Sequence, residues 1–388
     1  MPTNWDDKLI DKLPAESIDA VYGQAQIDKY GGGRPSLILP PTSEKMIAAH
    51  IKKVRNAGMG FNYLLNFSCY ENRPFDAEFV HDLRIFMDRL CSYGITAVTA
   101  TDYFLIKLIK KYYPELKITA SIFTMITTVT SAKQYEDIGC SKIIIGSPND
   151  FEFIKNVREA VSCDLVLFAN LGCYIFCNEC LTHSYAVSHS SQAHHQSKGF
   201  YLGHHITRCL IPKVANPESI LKMMYVRPED SDLYESLGVD NLKIADRTFP
   251  TEVIVELANS YAKRSYNGNF AKLITAFSLV NSRSSKQFSN IAHLVLGFLS
   301  RVNLFKLVKR QAALKPFQIH IDNAELDGMK REIMHKNIKC QIQNCKKCGI
   351  CSRYFEKAGR YFERSQRELL ESLNALLDSI SSSDIFKF

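Results

Sequence analysis

The chain has 388 residues, 46% of them hydrophobic, with 12 cysteines and 48 Lys and Arg against 40 Asp and Glu, a net charge of +8. This is enough to bury one core of roughly 250 residues and leave material for a second small unit. The longest apolar stretch, IAHLVLGFLS at 291–300, is too short to span a bilayer and reads as a buried helix, so no membrane anchor is expected.

The positive excess suits an anionic partner such as RNA, a phosphate ester or a carboxylate. It is spread along the chain, with short knots such as Lys107 to Lys111, and so does not by itself specify nucleic acid. The opening MPTNWDDKLIDKLP shows no basic n-region, apolar h-region or cleavage site. A cytoplasmic, reduced protein is therefore expected, and disulfides fit its cysteines poorly.

Up to about residue 270 one pattern repeats: an amphipathic helix, a glycine, then a short β-branched run. The glycines are Gly58 before FNYLLN, Gly94 before ITAVTA, Gly139 before CSKIIIG and Gly238 before VDNLKIA. Each stands where a helix end takes a left-handed residue. With IDAVYG (18–23), KITASIF (117–123), CDLVLFAN (163–170) and LKMMYVR (221–227), eight strands are expected. They are apolar runs without strict alternation, as in a parallel sheet covered by helices, so an α/β (β/α)8 barrel is expected over 1–270, with a doubly wound sheet as the alternative. Function in a barrel sits at the C-terminal strand ends. Those carry Tyr22, Asn66, Thr101 with Asp102, Ser121, Asn149, Asn170 with Cys173, Arg227 with Glu229, and Lys243 with Arg247.

After the sixth strand, a long insertion at 171–218 carries Cys173, Cys177, Cys180 and Cys209 and six histidines: His183, His189, His194, His195, His204 and His205. Four thiolates are what a tetrahedral metal or an iron-sulfur cubane consumes. The adjacent histidine pairs read as solvated loop residues, whereas His183 and His189 stand closest to the cysteines. Beyond Asn269 the repeat stops, and 271–388 reads as a smaller helical unit with a lone strand at FQIHID (317–322) and a helix at 355–379. It holds Cys340, Cys345, Cys348 and Cys351, a ferredoxin-like run whose alternative is a structural zinc knuckle. Cys69, Cys91, Cys140 and Cys163 read as buried inert thiols, Cys69 being nearest the rim.

Cys173, six residues, then Cys180-Leu-Thr-His-Ser, followed by RPEDSDLYESLGVDNLKIADR, resembles the collagenase-like peptidase family U-32. The likeness extends to YGQAQIDKYGGGRPS, FNYLLNFSCYENR and FQIHIDNAELDGM, and so covers most of the chain. It implies a 4Fe-4S cluster held by four cysteines and oxygen-independent hydroxylation, of RNA bases in some relatives and of a quinone-precursor ring in others, with prephenate as oxygen donor. The family's Arg-Ser-Gly-Asn-Arg-Gly-x-Cys segment is missing, and Cys177 and Cys209 keep the thiol count at four. Its Glu-Gly pair in the last strand is replaced in Lys243-Ile-Ala-Asp-Arg247.

Lys243 and Arg247 are the first candidates to clamp an anionic donor or substrate, with Arg227 and Arg34 next; a salt bridge to Glu229, Asp230 or Asp246 is the alternative for each. His183 is a further catalytic candidate. Tyr22, Asn66, Asn170 and Glu229 are candidates for holding an RNA, peptide or small aromatic substrate. Three other readings stand beside the hydroxylase. The Cys173-x3-Cys177-x2-Cys180 spacing is that of radical S-adenosylmethionine enzymes, although five strands precede it and Glu179 stands where an aromatic is usual. A metal-dependent peptidase would lack His-Glu-x-x-His and Gly-x-Ser-x-Gly. A non-catalytic iron-sulfur or zinc subunit binding a partner protein is the last.

Overall fold

The computed structural model describes residues 1–175, 177–275 and 301–386. The helix expected at 291–300, and most of the helical reading of 271–315, lies outside the described residues. Seven parallel strands form one curled sheet in the order β1 (Ala20–Gly23), β2 (Gly60–Leu65), β3 (Ala97–Ala100), β4 (Lys117–Ala120), β5 (Lys142–Ile144), β6 (Asp164–Phe168) and β9 (Asn241–Lys243). Helix α1 (Asp7–Ile10) precedes β1, and between the strands run α2 (Glu44–Asn56), α3 (Ala77–Tyr93), α4 (Tyr103–Tyr112), α5 (Val129–Asp137) and α6 (Phe151–Ala160). The sequence builds these units with little ambiguity. Ser43, Asp102, Thr128 and Asp150 cap the starts of α2, α4, α5 and α6 through their side chains, satisfying donors that a helix start leaves free. Gly58, Gly94, Gly139 and Gly238 all have φ between 81° and 102°, the left-handed turn expected of them.

The expected seventh strand departs from the barrel plan. β6 ends at Phe168, and the chain turns at Ala169 into β7 (Asn170–Tyr174), which pairs antiparallel with β8 (Met223–Tyr225) outside the main sheet. β9 then takes the place beside β6, so eight-stranded closure is not formed among the described residues. An apolar run reports burial but neither strand direction nor partner. The free edge of β1 is instead covered by the first residues of the chain: Tyr22 N donates to Met1 O at 2.7 Å and Thr3 N to Tyr22 O at 3.0 Å. Tyr22 Oη reaches across to Ile244 O at 2.7 Å, tying β1 to the end of β9.

The long insertion forms two helices, α7 (Cys180–Ser191) and α8 (His204–Ala215). Helices α9 (Ser231–Glu235) and α10 (Thr251–Ala262) complete the repeat. The C-terminal region adds α11 (Leu304–Ala312), β10 (Ile319–Ile321), α12 (Met329–His335), α13 (Cys345–Cys348), α14 (Ile350–Ala358), β11 (Gly359–Tyr361) and α15 (Glu363–Ser381). β10 lies where the lone strand is expected but has a partner, β11, which divides the single helix expected at 355–379. Gly359 makes the break: a Cβ there would sit 2.7 Å from the Phe355 ring. Leu369, Leu373, Leu376 and Ile380 form the buried face of α15, which packs along α8. Phe317, Ile321, Met329, Leu369 and Leu373 belong to the same continuous core as the strands.

Arg227, expected at the active rim, sits in this junction. It is 1% exposed, donates from Nη1 to Asn323 O at 2.7 Å, pairs through Nη2 with Asp327 and Glu229, and faces Asp230 from Nε at 3.3 Å. Its neighbour Glu229 accepts from Tyr266 N at 2.5 Å. Both residues bind the C-terminal region to the strand core rather than opening toward a substrate. Changing Arg227 to Met leaves the Asp230 carboxylate buried without its counter-charge and is expected to lower unfolding free energy by about 3–5 kcal/mol in a urea titration. A loss below about 1 kcal/mol would return Arg227 to the residues free to act elsewhere.

Candidate functional site

Four thiols, two histidines and five cations, Lys315 among them, surround one cavity of about 390 Å³ at the C-terminal ends of the strands. Its walls include Ile122, Phe168 and Met224 from the strand side and Leu369 and Leu373 from α15. Cys173 comes from β7, Cys177 from the following loop, Cys180 from the first residue of α7 and Cys209 from α8; all four line the cavity. Burial raises the thiol of Cys173, with Lys213 pulling the other way and Cys209 and Cys177 adding to the rise. Cys180 is pushed up to about 11 by burial and then by Cys173 and Cys177.

The closest ligand trio among the described residues is not made of these thiols: it is Glu71, His189 and His195, whose ligand atoms lie within 4.8 Å of one another.

The cations around the cavity differ in how they are neutralised. Arg34 reaches it from the Tyr30-Gly-Gly-Gly-Arg34 loop. Gly31 takes φ 72°, and a Cβ on Gly32 would lie 1.9 Å from Gln24 Oε1, so the loop depends on its glycines. The buried Asp28 holds this loop by accepting from Tyr30 N at 2.8 Å, from Gly31 N at 2.5 Å and from Tyr63 Oη at 2.8 Å. Arg34 is paired with Asp246 at 3.0 Å. Burial alone would raise the Asp246 carboxyl, but Arg34 and Arg247 outweigh it and hold it below the usual range. Arg247 is 4% exposed, and its Nη1 has no hydrogen-bond partner. Burial, then the charge of Arg34, lowers it to about 10.

Lys243 lies over the rings of Tyr22 at 4.5 Å and Phe168 at 5.7 Å. Burial, then Arg247 and Arg34, lowers it to about 7. Lys213 has no forerunner in the strand-end reasoning because it belongs to α8. It is 1% exposed, donates from Nζ to Gly172 O at 2.5 Å and lies over the Tyr174 ring. The only sequence signal for it was its place in the cysteine-bearing insertion.

His183 lines the cavity and stacks on His205 with centroids 5.4 Å apart. Burial, then His205, lowers it to about 4, so it is neutral near pH 7. Tyr22 and Asn66 line the cavity as expected, Asn66 accepting from Gly33 N at 3.2 Å. Asn170 does not line it: fully buried, it accepts from Ala245 N at 2.7 Å and donates to Leu273 O at 3.0 Å, fixing the chain just beyond β9. His189 lies outside the cavity lining, and His195, read as solvated, is 7% exposed.

The profile of peptidase family U32 matches residues 43–287. The chain belongs to that family. The U32 match spans β2 to β9 and the cysteine-bearing insertion, and leaves β1 and the C-terminal cysteine group outside it. A curated relative, the uncharacterized protease MJ1657 of Methanocaldococcus jannaschii, is 24% identical over 269 residues, 69% of this chain and 78% of its own length. The solved structure of the U32 peptidase Mk0906 matches 61% of this chain and 89% of its own at 18% identity and a TM-score of 0.46. A mutant O-GlcNAc hydrolase from Thermobaculum terrenum matches 97% and 94% at 12% identity and a TM-score of 0.33. Similarity this low leaves the architecture to be argued from the chain itself.

The second cysteine group gathers at the other end of the C-terminal region. Burial raises Cys340, opposed by Lys330 and reinforced by Cys345 and Cys348. Burial pushes Cys351 up to about 11, with Lys330 and Lys222 opposing and Cys340 and Cys345 adding. Lys330 is fully buried between them and Tyr225, its Nζ 3.9 Å from that ring's centre and 2.5 Å from Asn149 Oδ1. Cys140 and Cys163 are buried and raised to about 12 and about 11, chiefly by burial, as inert thiols should be.

The charge of the cavity, whose wall also includes His205, should depend on pH in part through Lys243, because Arg34 and Arg247 stay charged, Asp246 stays ionised and His183 stays neutral between about pH 6 and 8. Sulfate keeps its own charge over that window. Its affinity is expected to fall as pH rises through about 7, with the midpoint displaced upward by the bound anion. Calorimetry on Lys243→Met should show the dependence flattened; an unchanged slope would assign it to another group.

Proposed function

We propose that this U32 protein is an iron-sulfur enzyme that modifies an anionic substrate, or uses an anionic donor, by oxygen-independent hydroxylation or a related reaction. The observation that carries this reading is Arg247, a buried guanidinium with a free Nη1, lining the same cavity as four thiols. Leaving a donor unpaired and buried is unfavourable unless a ligand completes it. Cys173, Cys177, Cys180 and Cys209 would hold a 4Fe-4S cluster, which supplies electron transfer or Lewis-acid activation when bound. Arg247 and Lys243 would receive a carboxylate or phosphate, as in a prephenate-like donor. Arg34, held by Asp246, would complete the cationic wall. Neutral His183 can carry or accept a proton at the cavity edge. The apolar walls from Phe168, Met224, Leu369 and Leu373 exclude water and strengthen each charged contact.

A cavity of about 390 Å³ has room for one aromatic ring with its acid groups. A small aromatic acid fits whole; an RNA or peptide would present a single base or side chain. The group at Cys340, Cys345, Cys348 and Cys351 would carry a second cluster, with zinc as its alternative, near Lys330 and Lys222.

Anaerobically prepared protein is expected to contain iron and acid-labile sulfide. Cys209→Ser should lose the barrel share and keep the C-terminal metal, and Cys348→Ser should do the reverse. Arg247→Ala should keep full iron while binding prephenate at least about ten-fold more weakly, a loss near 1.4 kcal/mol. Folded protein that takes up no iron, and cleaves casein through residues other than these cysteines, would restore the peptidase reading.

A further inference from the structure

Away from the cysteine cavity, one carboxylate oxygen and two imidazole nitrogens from Glu71, His189 and His195 lie within 4.8 Å of one another. We propose that this trio binds one first-row divalent cation, zinc being the best match, and ties the loop after β2 to the helical insertion. None of the three lines the cysteine cavity, so this is a separate site with separate chemistry.

Three parts of the chain are brought together to make it. Glu71 stands in the loop after β2 with φ 55°, and Asn72 follows at 65°; two successive non-glycine residues in the left-handed region hold this turn in a conformation that most side chains avoid. His189 is in the last turn of α7, and His195 lies in the connection beyond it. The backbone is fixed around them: Ser68 N donates to Ser188 Oγ at 2.8 Å, Gln192 Nε2 to Cys69 O at 2.9 Å and Ala193 N to Asp28 O at 2.7 Å. The two imidazoles stack with centroids 4.1 Å apart and planes 10° apart.

The hydrogen bonds available without a cation leave this group incomplete. His195 is 7% exposed, and its Nε2 lies 3.0 Å from Glu71 Oε1. His189 Nε2 is buried and has no hydrogen-bond partner. Burial, then the neighbouring His195, lowers His189, so its nitrogen is a neutral donor of an electron pair, as a metal ligand must be. Two imidazoles and a carboxylate suit zinc, cobalt, nickel or a mononuclear iron(II), zinc being the one for which three protein ligands and a water are usual; calcium and magnesium take oxygen-rich sets. Three protein ligands leave a fourth position for water.

Loading requires two local changes: one of the two nearly parallel imidazoles must turn so that both in-plane lone pairs meet one cation, and the His195 proton must move. Ser197 N donates to His195 Nδ1 at 2.9 Å, which places the proton of the neutral ring on Nε2, facing Glu71. A cation at Nε2 takes the place of that proton, which moves to Nδ1, and the Ser197 contact is given up.

Zinc titration by calorimetry, on protein that retains its iron and has been dialysed free of loose metal, tests the site. Wild-type protein should take up one more zinc than His189→Ala/His195→Ala at equal iron content, and zinc should raise its melting temperature but not the variant's. Glu71 is exposed, so Glu71→Gln should fold normally and bind that zinc at least ten-fold more weakly. Should the double variant fail to fold, Glu71→Gln and the single His189→Ala variant decide. Equal zinc affinity and stoichiometry in those variants, or uptake abolished by cysteine substitutions instead, would overturn the proposal.

Discussion

One carboxylate, Asp246, faces two guanidiniums, the half-buried Arg34 and the buried Arg247. It pairs with Arg34 at 3.0 Å and holds that side chain against the end of β9. Arg247 is left with a free Nη1 in a low-dielectric wall. Charge of this kind is costly to bury unless something neutralises it. Lys243 shows the same strain from the other direction: burial, then the charges of Arg247 and Arg34, lowers its ammonium to about 7. The cavity wall thus carries more positive charge than its own anions, Asp246 and Glu179, can meet, and that excess selects the ligand's sign.

The thiols stand in the same enclosure, so substrate and metal chemistry would share one water-poor space. Four cysteines reach it from β7, the following loop, α7 and α8, and α15 closes its apolar side through Leu369 and Leu373. The C-terminal region is therefore part of the site's wall as well as the carrier of the second cysteine group. Arg227 explains how it is held there: its guanidinium joins β8's loop to Asn323 and Asp327.

Local chemistry made much of this legible in sequence. The glycine at each of four helix ends and all seven strands of the main sheet's parallel run follow from short-range rules. The run 221–227 was recognised as a strand, but its antiparallel pairing with β7 depends on the turn at Ala169, which no periodicity reports. Arg227, Glu229 and Asn170 stood at strand ends, where function is expected, yet the side chains turn into the junctions that fix the strand ends. Lys213 and His195 were hidden for the opposite reason: each lies in the insertion, where sequence spacing carries no information about what the fold brings alongside. The cysteine set was legible because its thiols are close in sequence as well as around the cavity.

The central claim is that a cluster on the barrel cysteines and an anion on Arg247 and Lys243 occupy one cavity. Electron paramagnetic resonance of the anaerobically prepared, dithionite-reduced Cys348→Ser protein tests it most directly, because that variant isolates the barrel group. The account predicts an iron-sulfur signal whose g-values shift on adding prephenate, with the shift absent when Arg247 is also changed to Ala. A missing signal in iron-loaded protein, or a spectrum indifferent to the anion at concentrations that bind, would contradict it.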